Sequence, residues 1–249
     1  MPYAFGAYEF LAYVIPGGLL LFFLMVLFPG VKVPFGQEPV NVGGLVVFLV
    51  TAFVFGQILQ TAATYLVQTP MEFFGYAYRT SNVIWKDQTL LTPEERNRLI
   101  KAVGEDFKFS SDKFGFQKAR AIKDENVRAQ LERDWRNLIR RIHSKVNLEH
   151  TSDRLEIYSQ HFNLNLGLSM ALIVMFVIAK TVWATKLRRK VKFRVLELPG
   201  SVRHIVVAGL LISIVIFIMR VSYFDHLFAE ELFRAYLQSK SAESPALLL

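Results

Sequence analysis

Residues 42–67 read VGGLVVFLVTAFVFGQILQTAATYLV, a run of 26 residues without a charged side chain. A helix needs about 20 consecutive apolar residues to cross the hydrocarbon core of a bilayer, so this run is long enough to span it with some tilt. The stretch decides the class of fold because a helix of this length and composition is stable in lipid, where its backbone hydrogen bonds are all internal.

Three further apolar runs predict spans at about residues 10–28, 164–183 and 204–222. A charge-rich segment separates the second span from the third. We therefore expect an all-α polytopic membrane protein, with four transmembrane helices and a helical polar domain inserted between spans 2 and 3. The expected divisions are a transmembrane hairpin at 1–69, the charged helical domain at 70–160, a second transmembrane hairpin at 161–224 and an amphipathic C-terminal tail at 225–249.

The composition excludes several kinds of chemistry. The chain has no cysteine, which removes disulfides, thiolate zinc sites, iron–sulfur clusters and cysteine nucleophiles. Its net charge is +8, which favours either anionic lipid or nucleic acid as a partner. The basic residues flank the apolar runs, so we expect the lipid bilayer to be the partner and nucleic acid not to be. We expect no cofactor.

Helical signals recur in the charged domain. Thr92 followed by Pro93 and by Glu95 predicts a helix that begins with a capping box, and Gly104 is predicted to end it. A longer helix is predicted from about Gln117 to Val146, and a further one from near Ser152 into the third apolar run. The apolar positions of the longer helix fall on one face at helical spacing, and its later members are Leu131, Trp135, Leu138, Ile142 and Val146.

The longer helix is amphipathic, and its apolar face requires a partner. That partner is another helix of the chain, another subunit or the membrane surface. The charged flank beside Trp135 includes Arg140 and Arg141, and we predict that these three residues dock a soluble protein partner.

Polar residues form a stripe within the second span. Gln57, Gln60, Thr61 and Thr64 recur every three or four residues. Polar groups are costly against lipid and are usually turned into the protein. The stripe therefore either hydrogen-bonds packed helices or lines a pore made by several subunits, and the spacing leaves both alternatives open.

Small residues mark possible sites of bending and close packing. Pro16, Gly17 and Gly18 lie inside the first apolar run and predict a kink, which is either packed on neighbouring helices or used as a hinge. Two pairs in the later spans have the small-xxx-small spacing that permits close helix approach, namely Gly167 with Ala171 and Gly209 with Ser213.

Enzyme signatures are sparse, and we expect no enzyme activity. The histidines lack the spacing of a strong metal motif, so no metal site is expected. Arg136 and His143 enclose six residues, as do Arg154 and His161, and this resembles the loose Arg-x(4–6)-His pattern of HEPN-type ribonucleases. A charged helix face is the explanation we favour, because the pattern is loose and the chain is rich in arginine. Three aspartates on polar helices are expected to be solvated: Asp106, Asp112 and Asp124.

A basic loop between the third and fourth spans bears on topology. Residues 187–194, LRRKVKFR, carry five cations and no anion. The positive-inside rule would place this loop in the cytoplasm and the charged domain outside. The general type of protein favours the reverse, with both termini and the helical domain in the cytoplasm, and that is the topology we expect. The cations predicted to contact lipid head groups are Arg188, Arg189, Lys190, Lys192 and Arg194.

The layout resembles a group of small four-span bacterial inner-membrane proteins associated with anti-phage defence. Three stretches carry the resemblance: YVIPGGL at residues 13–19, SDRLEIYSQHFNLNLGLSMAL at 152–172, and FAEELFRAYL at 228–237. The resemblance implies a partner-controlled effector or sensor of the bacterial inner membrane, often oligomeric. The polar stripe of the second span, the continuous helix into the third span and the lack of an enzyme signature lead us to expect an oligomeric, signal-responsive protein that forms a pore or perturbs the membrane. A scaffold that recruits a soluble effector is the alternative, and a membrane-tethered HEPN-like ribonuclease is the second alternative.

Overall fold

The computed structural model describes residues 7–27, 42–74, 91–108, 124–148, 154–184 and 200–243, and every regular element within these ranges is a helix. The all-α prediction is confirmed for this part of the chain. The helices are α1 (Ala7–Leu27), α2 (Val42–Ala63), a π turn (Thr64–Gln68), α3 (Thr69–Phe74), α4 (Pro93–Phe107), α5 (Glu125–Leu148), α6 (Arg154–Ala184) and α7 (Gly200–Glu243).

Three of the helical stretches are long and apolar enough to cross a membrane, namely Val42–Met71, Arg154–Val182 and Arg203–Ser241. They support a multi-pass membrane protein. The first apolar run forms α1, whose apolar stretch, Phe10–Val26, is shorter than these three. The predicted helix from near Ser152 into the third run is confirmed, since α6 is continuous from Arg154 to Ala184.

The described residues fall into two compact units. The apolar unit comprises Met1–Phe74 and Gln160–Val221, and the charged unit comprises Gly75–Ser159 and Ser222–Leu249. Both α6 and α7 supply residues to each unit, because the unit boundaries fall within these two helices.

Glycines let α1 and α2 pack backbone to backbone in the apolar unit. A Cβ added to Gly17 would overlap the carbonyl oxygen of Ala52, and one added to Gly56 would overlap the carbonyl oxygen of Tyr13. Only a hydrogen atom fits at either contact, which is the small-residue packing common between helices in lipid. Phe53 extends the contact by stacking on Phe10 at 5.7 Å and meeting the edge of Tyr13 at 5.6 Å, measured between ring centroids.

The π turn separates α2 from α3 just before Pro70. Proline has no N–H, and its ring collides with the carbonyl four residues earlier, so a regular α-helix cannot pass through this point unchanged. The wider turn bonds differently: the N–H of Thr69 donates to the carbonyl of Thr64, and the Thr69 hydroxyl donates to the same oxygen at 3.1 Å. The chain thus remains helical across the proline.

The charged unit is built around one apolar core. The predicted capping box is confirmed: the Thr92 hydroxyl accepts from the N–H of Glu95, and the Glu95 carboxylate accepts from the N–H of Thr92. The prediction that Gly104 ends this helix is wrong, because α4 continues to Phe107 and ends at Lys108, which adopts a left-handed conformation with φ of 51°. The fully buried core side chains include Leu99, Val103, Ile142, Val146, Leu155, Leu232, Phe233 and Tyr236.

Residues of the predicted C-terminal tail contribute to this core. Leu232, Phe233 and Tyr236 lie in the last turns of α7 and are fully buried within the charged unit. The apolar face of α5 is buried in the same core through Leu138 and Ile142. The apolar face of the amphipathic α5 therefore packs against other helices of the same chain.

Candidate functional site

The side chains of the polar stripe of α2 face in two directions. Gln60 is half-buried, and its amide Nε2 donates to the Asn163 side-chain oxygen of α6 at 3.1 Å. Gln57, Thr61 and Thr64 are exposed in the single chain. The structure thus brings only Gln60 together with another helix of the apolar unit.

The Gln60 amide lies at a junction of three helices. A Cβ added to Gly167 of α6 would lie 2.9 Å from the Pro16 ring of α1 and 3.0 Å from the Gln60 side-chain oxygen. That oxygen is buried and accepts no hydrogen bond within the described part of the chain. Amide hydrogen bonds between helices in lipid contribute about 0.6 kcal/mol and at most about 1.7 kcal/mol, so the Gln60–Asn163 pair mainly fixes which faces of α2 and α6 meet.

Threonine hydroxyls along α2 are satisfied by their own helix. Thr61 donates to the carbonyl of Gln57 at 2.9 Å, and Thr64 donates to the carbonyl of Gln60 at 3.1 Å. A threonine bonded in this way tolerates lipid, because its hydroxyl needs no outside acceptor. Gln57 is therefore the exposed member of the predicted stripe whose side-chain amide still requires hydrogen-bond partners.

Two buried polar residues of α6 were not singled out from the sequence. Asn165 is 3% exposed, and its amide nitrogen donates to the carbonyl of His161 at 2.6 Å. Ser169 is fully buried and donates to the carbonyl of Leu166 at 2.7 Å. The signal for both was present, since FNLNLGLS at residues 162–169 places polar side chains in an otherwise apolar run.

The predicted hinge residues lie in a continuous helix. Pro16 and Gly17 are buried, and Gly18 is half-buried. Pro16 contacts α6 and Gly17 contacts α2, so both make packing contacts. A hinge at these residues stays a prediction.

In the charged unit, the carboxylate of Asp106 accepts hydrogen bonds from three side chains. Asp106 binds Lys145 at 3.2 Å and accepts from the Tyr236 hydroxyl at 2.8 Å, and it also pairs with Lys240. The expectation that Asp106 is solvated is wrong, because its side chain is only 17% exposed. Asp124 is exposed, as expected, and Asp112 lies outside the described residues.

Electrostatics explains why Asp106 is held there as a carboxylate. Burial would raise its pKa, but hydrogen bonds from Lys240, Tyr236 and Lys145 outweigh burial and hold the pKa below the usual aspartate value. Asp106 lies in the last turn of α4, where the helix dipole disfavours a negative charge. The two lysines stabilise both the carboxylate and this negative helix end.

The other predicted site residues are scattered. Arg140 and Arg141 are exposed on α5, and the Trp135 and Arg136 side chains lie outside the described part. The head-group cations at 188–194 also fall outside it. His143 is half-buried against the ring of Phe228 at 5.7 Å, and burial lowers its pKa. The ribonuclease hypothesis stays a prediction, and the described residues contain no cluster of three potential metal ligands.

Comparisons with known proteins give no match to this chain. No protein-family model matches the chain, and neither a curated protein nor a solved structure matches it.

Proposed function

We propose that the chain is an oligomeric, four-span protein of the bacterial inner membrane, whose charged unit receives a signal and whose spans respond. The response is a pore or a disturbance of the bilayer, in a role such as anti-phage defence. The observation that carries the proposal is that α6 and α7 each supply residues to both units. A ligand that rearranges the charged core acts on the same two helices that carry the apolar stretches.

Purified full-length protein tests this function in mild detergent and in vesicles of anionic and zwitterionic lipid. We expect a mass of more than one chain in detergent and release of an entrapped dye from the vesicles. A monomer that releases no dye would contradict the proposal. Phe233→Ala, which opens the charged core, is expected to change the rate of release, whereas the exposed Gln238→Ala is its matched control.

The topology in this proposal has the charged unit and both termini in the cytoplasm. Reporter fusions after residue 35, after residue 195 and at the C-terminus test it. Activity of a cytoplasmic reporter only at the C-terminus supports four spans in this orientation. Cytoplasmic activity at residue 195 would reverse the topology and place the charged unit outside.

A scaffold is the second candidate function, and one observation favours it. The apolar face of α5 is occupied by the chain's own core, while Arg140 and Arg141 on the other side are exposed. A soluble partner would then dock on charge, and its binding would weaken with salt. Reversal of both charges to glutamate should release a co-purifying protein, whereas the same change at the exposed Lys101 should retain it.

A further inference from the structure

One face of α2 is exposed along its length and has the spacing of a helix-packing seam. Val47, Val50, Val54, Gln57 and Thr61 follow one another at intervals of three, four, three and four residues, and together they form what we call the α2 seam. The three valines are 55%, 58% and 49% exposed. Alternating steps of three and four are the spacing by which two helices interlock side chains over many turns.

The seam lies on the side of α2 opposite to its contacts with α1 in the apolar unit. The buried residues of α2 include Leu59 and also Ala52 and Gly56, which contact α1. At 100° per residue, the seam is centred roughly 170° around the helix from these positions. The apolar unit therefore leaves the seam uncovered.

Gln57 is the polar member of the seam that its own helix does not satisfy, and it lies deep in the span. It is about 22 Å from Val42 at 1.5 Å per residue, near the middle of the 30-residue stretch Val42–Met71. The hydroxyl of Thr61 bonds within α2, whereas the Gln57 amide is exposed. Hydrocarbon offers neither donor nor acceptor, so an exposed amide at this depth is costly.

We propose that the α2 seam is the contact between two copies of this chain, in which the two Gln57 amides hydrogen-bond to each other. A twofold axis places the same residue opposite itself, and an amide carries both a donor and an acceptor, so glutamine pairs with glutamine. One polar residue within such a helix seam fixes its register. The inference rests on the oligomer of the proposed function and names the surface that forms it.

Cross-linking tests the contact in membranes. The chain has no cysteine, so Val54→Cys introduces a single thiol in the seam. Two thiols that meet across a twofold axis fall within disulfide range, and mild oxidation should give a covalent dimer. Ile212→Cys is the matched control, since Ile212 is 61% exposed on α7 but lies off the seam, and it should remain a monomer on the gel. Equal cross-linking of both variants, or of neither, would overturn the inference.

Dissociation in detergent tests the amide itself. Gln57→Leu should raise the dissociation constant of the dimer roughly 3- to 20-fold, as expected for interhelical amide bonds in lipid. Thr61→Val removes a hydroxyl that bonds within its own helix and should leave the constant unchanged. An unchanged constant for Gln57→Leu would overturn the inference.

The α2 seam and the oligomer of the proposed function can be tested separately. If Gln57→Cys in a larger assembly reacts with a thiol reagent that cannot cross membranes, Gln57 faces water; the dimer seam is then wrong and a pore is supported. If the wild-type chain is oligomeric and Val54→Cys gives no dimer, the seam is wrong and the oligomer stands. A wild-type chain that is monomeric at all concentrations would overturn both.

Discussion

The two units of the chain hold their helices together by different means. In the apolar unit, α1 and α2 approach until Gly17 and Gly56 meet the opposing backbone, and an amide pair joins α2 to α6. In the charged unit, helices of mixed character bury large side chains such as Phe233 and Tyr236 and then add ion pairs at the edge. Lipid supplies no hydrophobic driving force between helices, so close steric fit is the main source of helix packing in the apolar unit. Burial of apolar area is the main source in the charged unit.

The comparison predicts that truncating a large core side chain has its greatest effect in the charged unit. Phe233→Ala removes a fully buried ring and should lower the free energy of unfolding of that unit by about 3–5 kcal/mol. Hydrogen exchange of α4 and α5 amides in the full chain measures the change. Gln238→Ala, exposed in the same helix, should leave the exchange unaltered, and equal exchange in the two variants would contradict the assigned core.

In the apolar unit we expect stability to be most sensitive to enlarging a small residue and not to truncating a large one. Gly17→Ala forces a Cβ against the carbonyl oxygen of Ala52 and should destabilise the unit by about 1–3 kcal/mol. Gly18→Ala is the control, because its Cβ would meet Phe48 at an ordinary 3.7 Å. Both variants gain the same helix propensity, so the difference in thermal midpoint in detergent isolates the contact. Equal midpoints would show that α1 and α2 do not approach at Gly17.

The ion pairs of the charged unit should depend on pH. The pKa of Asp106 is lower folded than in an unfolded chain, so its stabilising contribution is present above the unfolded value and is lost as pH falls through the folded value. Asp106→Asn should lower the free energy of unfolding by about 1–2 kcal/mol at neutral pH and reduce its dependence on pH below the ordinary aspartate range. Urea titrations of the full chain at several pH values measure both effects.

A neighbouring acid provides the control for this pH dependence. Glu105 is exposed and adjacent to Asp106 in α4, so Glu105→Gln changes the same charge without removing the lysine partners. It should leave the acid limb of the stability curve close to wild type. If Glu105→Gln and Asp106→Asn shift the curve equally, the effect comes from net charge and not from the Asp106 contacts.

The smallest expected effect is at the start of α4. Thr92→Ala removes the hydroxyl that caps the helix and should cost about 1 kcal/mol, seen as faster exchange of the amides in its first turn. Thr92→Ser keeps the hydroxyl and should restore protection. If serine fails to rescue, the methyl group and not the cap is responsible.

Local features of the fold were predictable from the sequence, and contacts between distant residues were not. The capping box and the apolar stripe of α5 follow from spacing alone, because both depend on residues within one helix. Asp106 was expected to be solvated because its partners, Lys145 and Tyr236, lie 39 and 130 residues away. No pattern near Asp106 indicates them.

The same limit applies to the candidate site. The spacing of the α2 stripe identified its members, but it did not show that Gln60 turns to Asn163 while Gln57 remains exposed. Close packing was expected at Gly167 and Gly209; Gly167 does meet Pro16, whereas no described atom lies within 4 Å of a Cβ added to Gly209. The tightest contacts, at Gly17 and Gly56, required the relative position of two helices.

The π turn at Thr64–Gln68 has a consequence for how this chain tolerates insertions and deletions. A π turn holds one more residue than an α turn, so it acts as an insertion already absorbed by the helix. Deleting one residue there would let the chain wind as a regular α-helix up to Pro70 while the side chains beyond it keep their direction relative to the α2 seam. A one-residue deletion in the regular part of α2 would instead rotate them by roughly 100°. The face that α3 presents is therefore preserved when one residue is lost from Thr64–Gln68, and it is changed when one residue is lost earlier in α2.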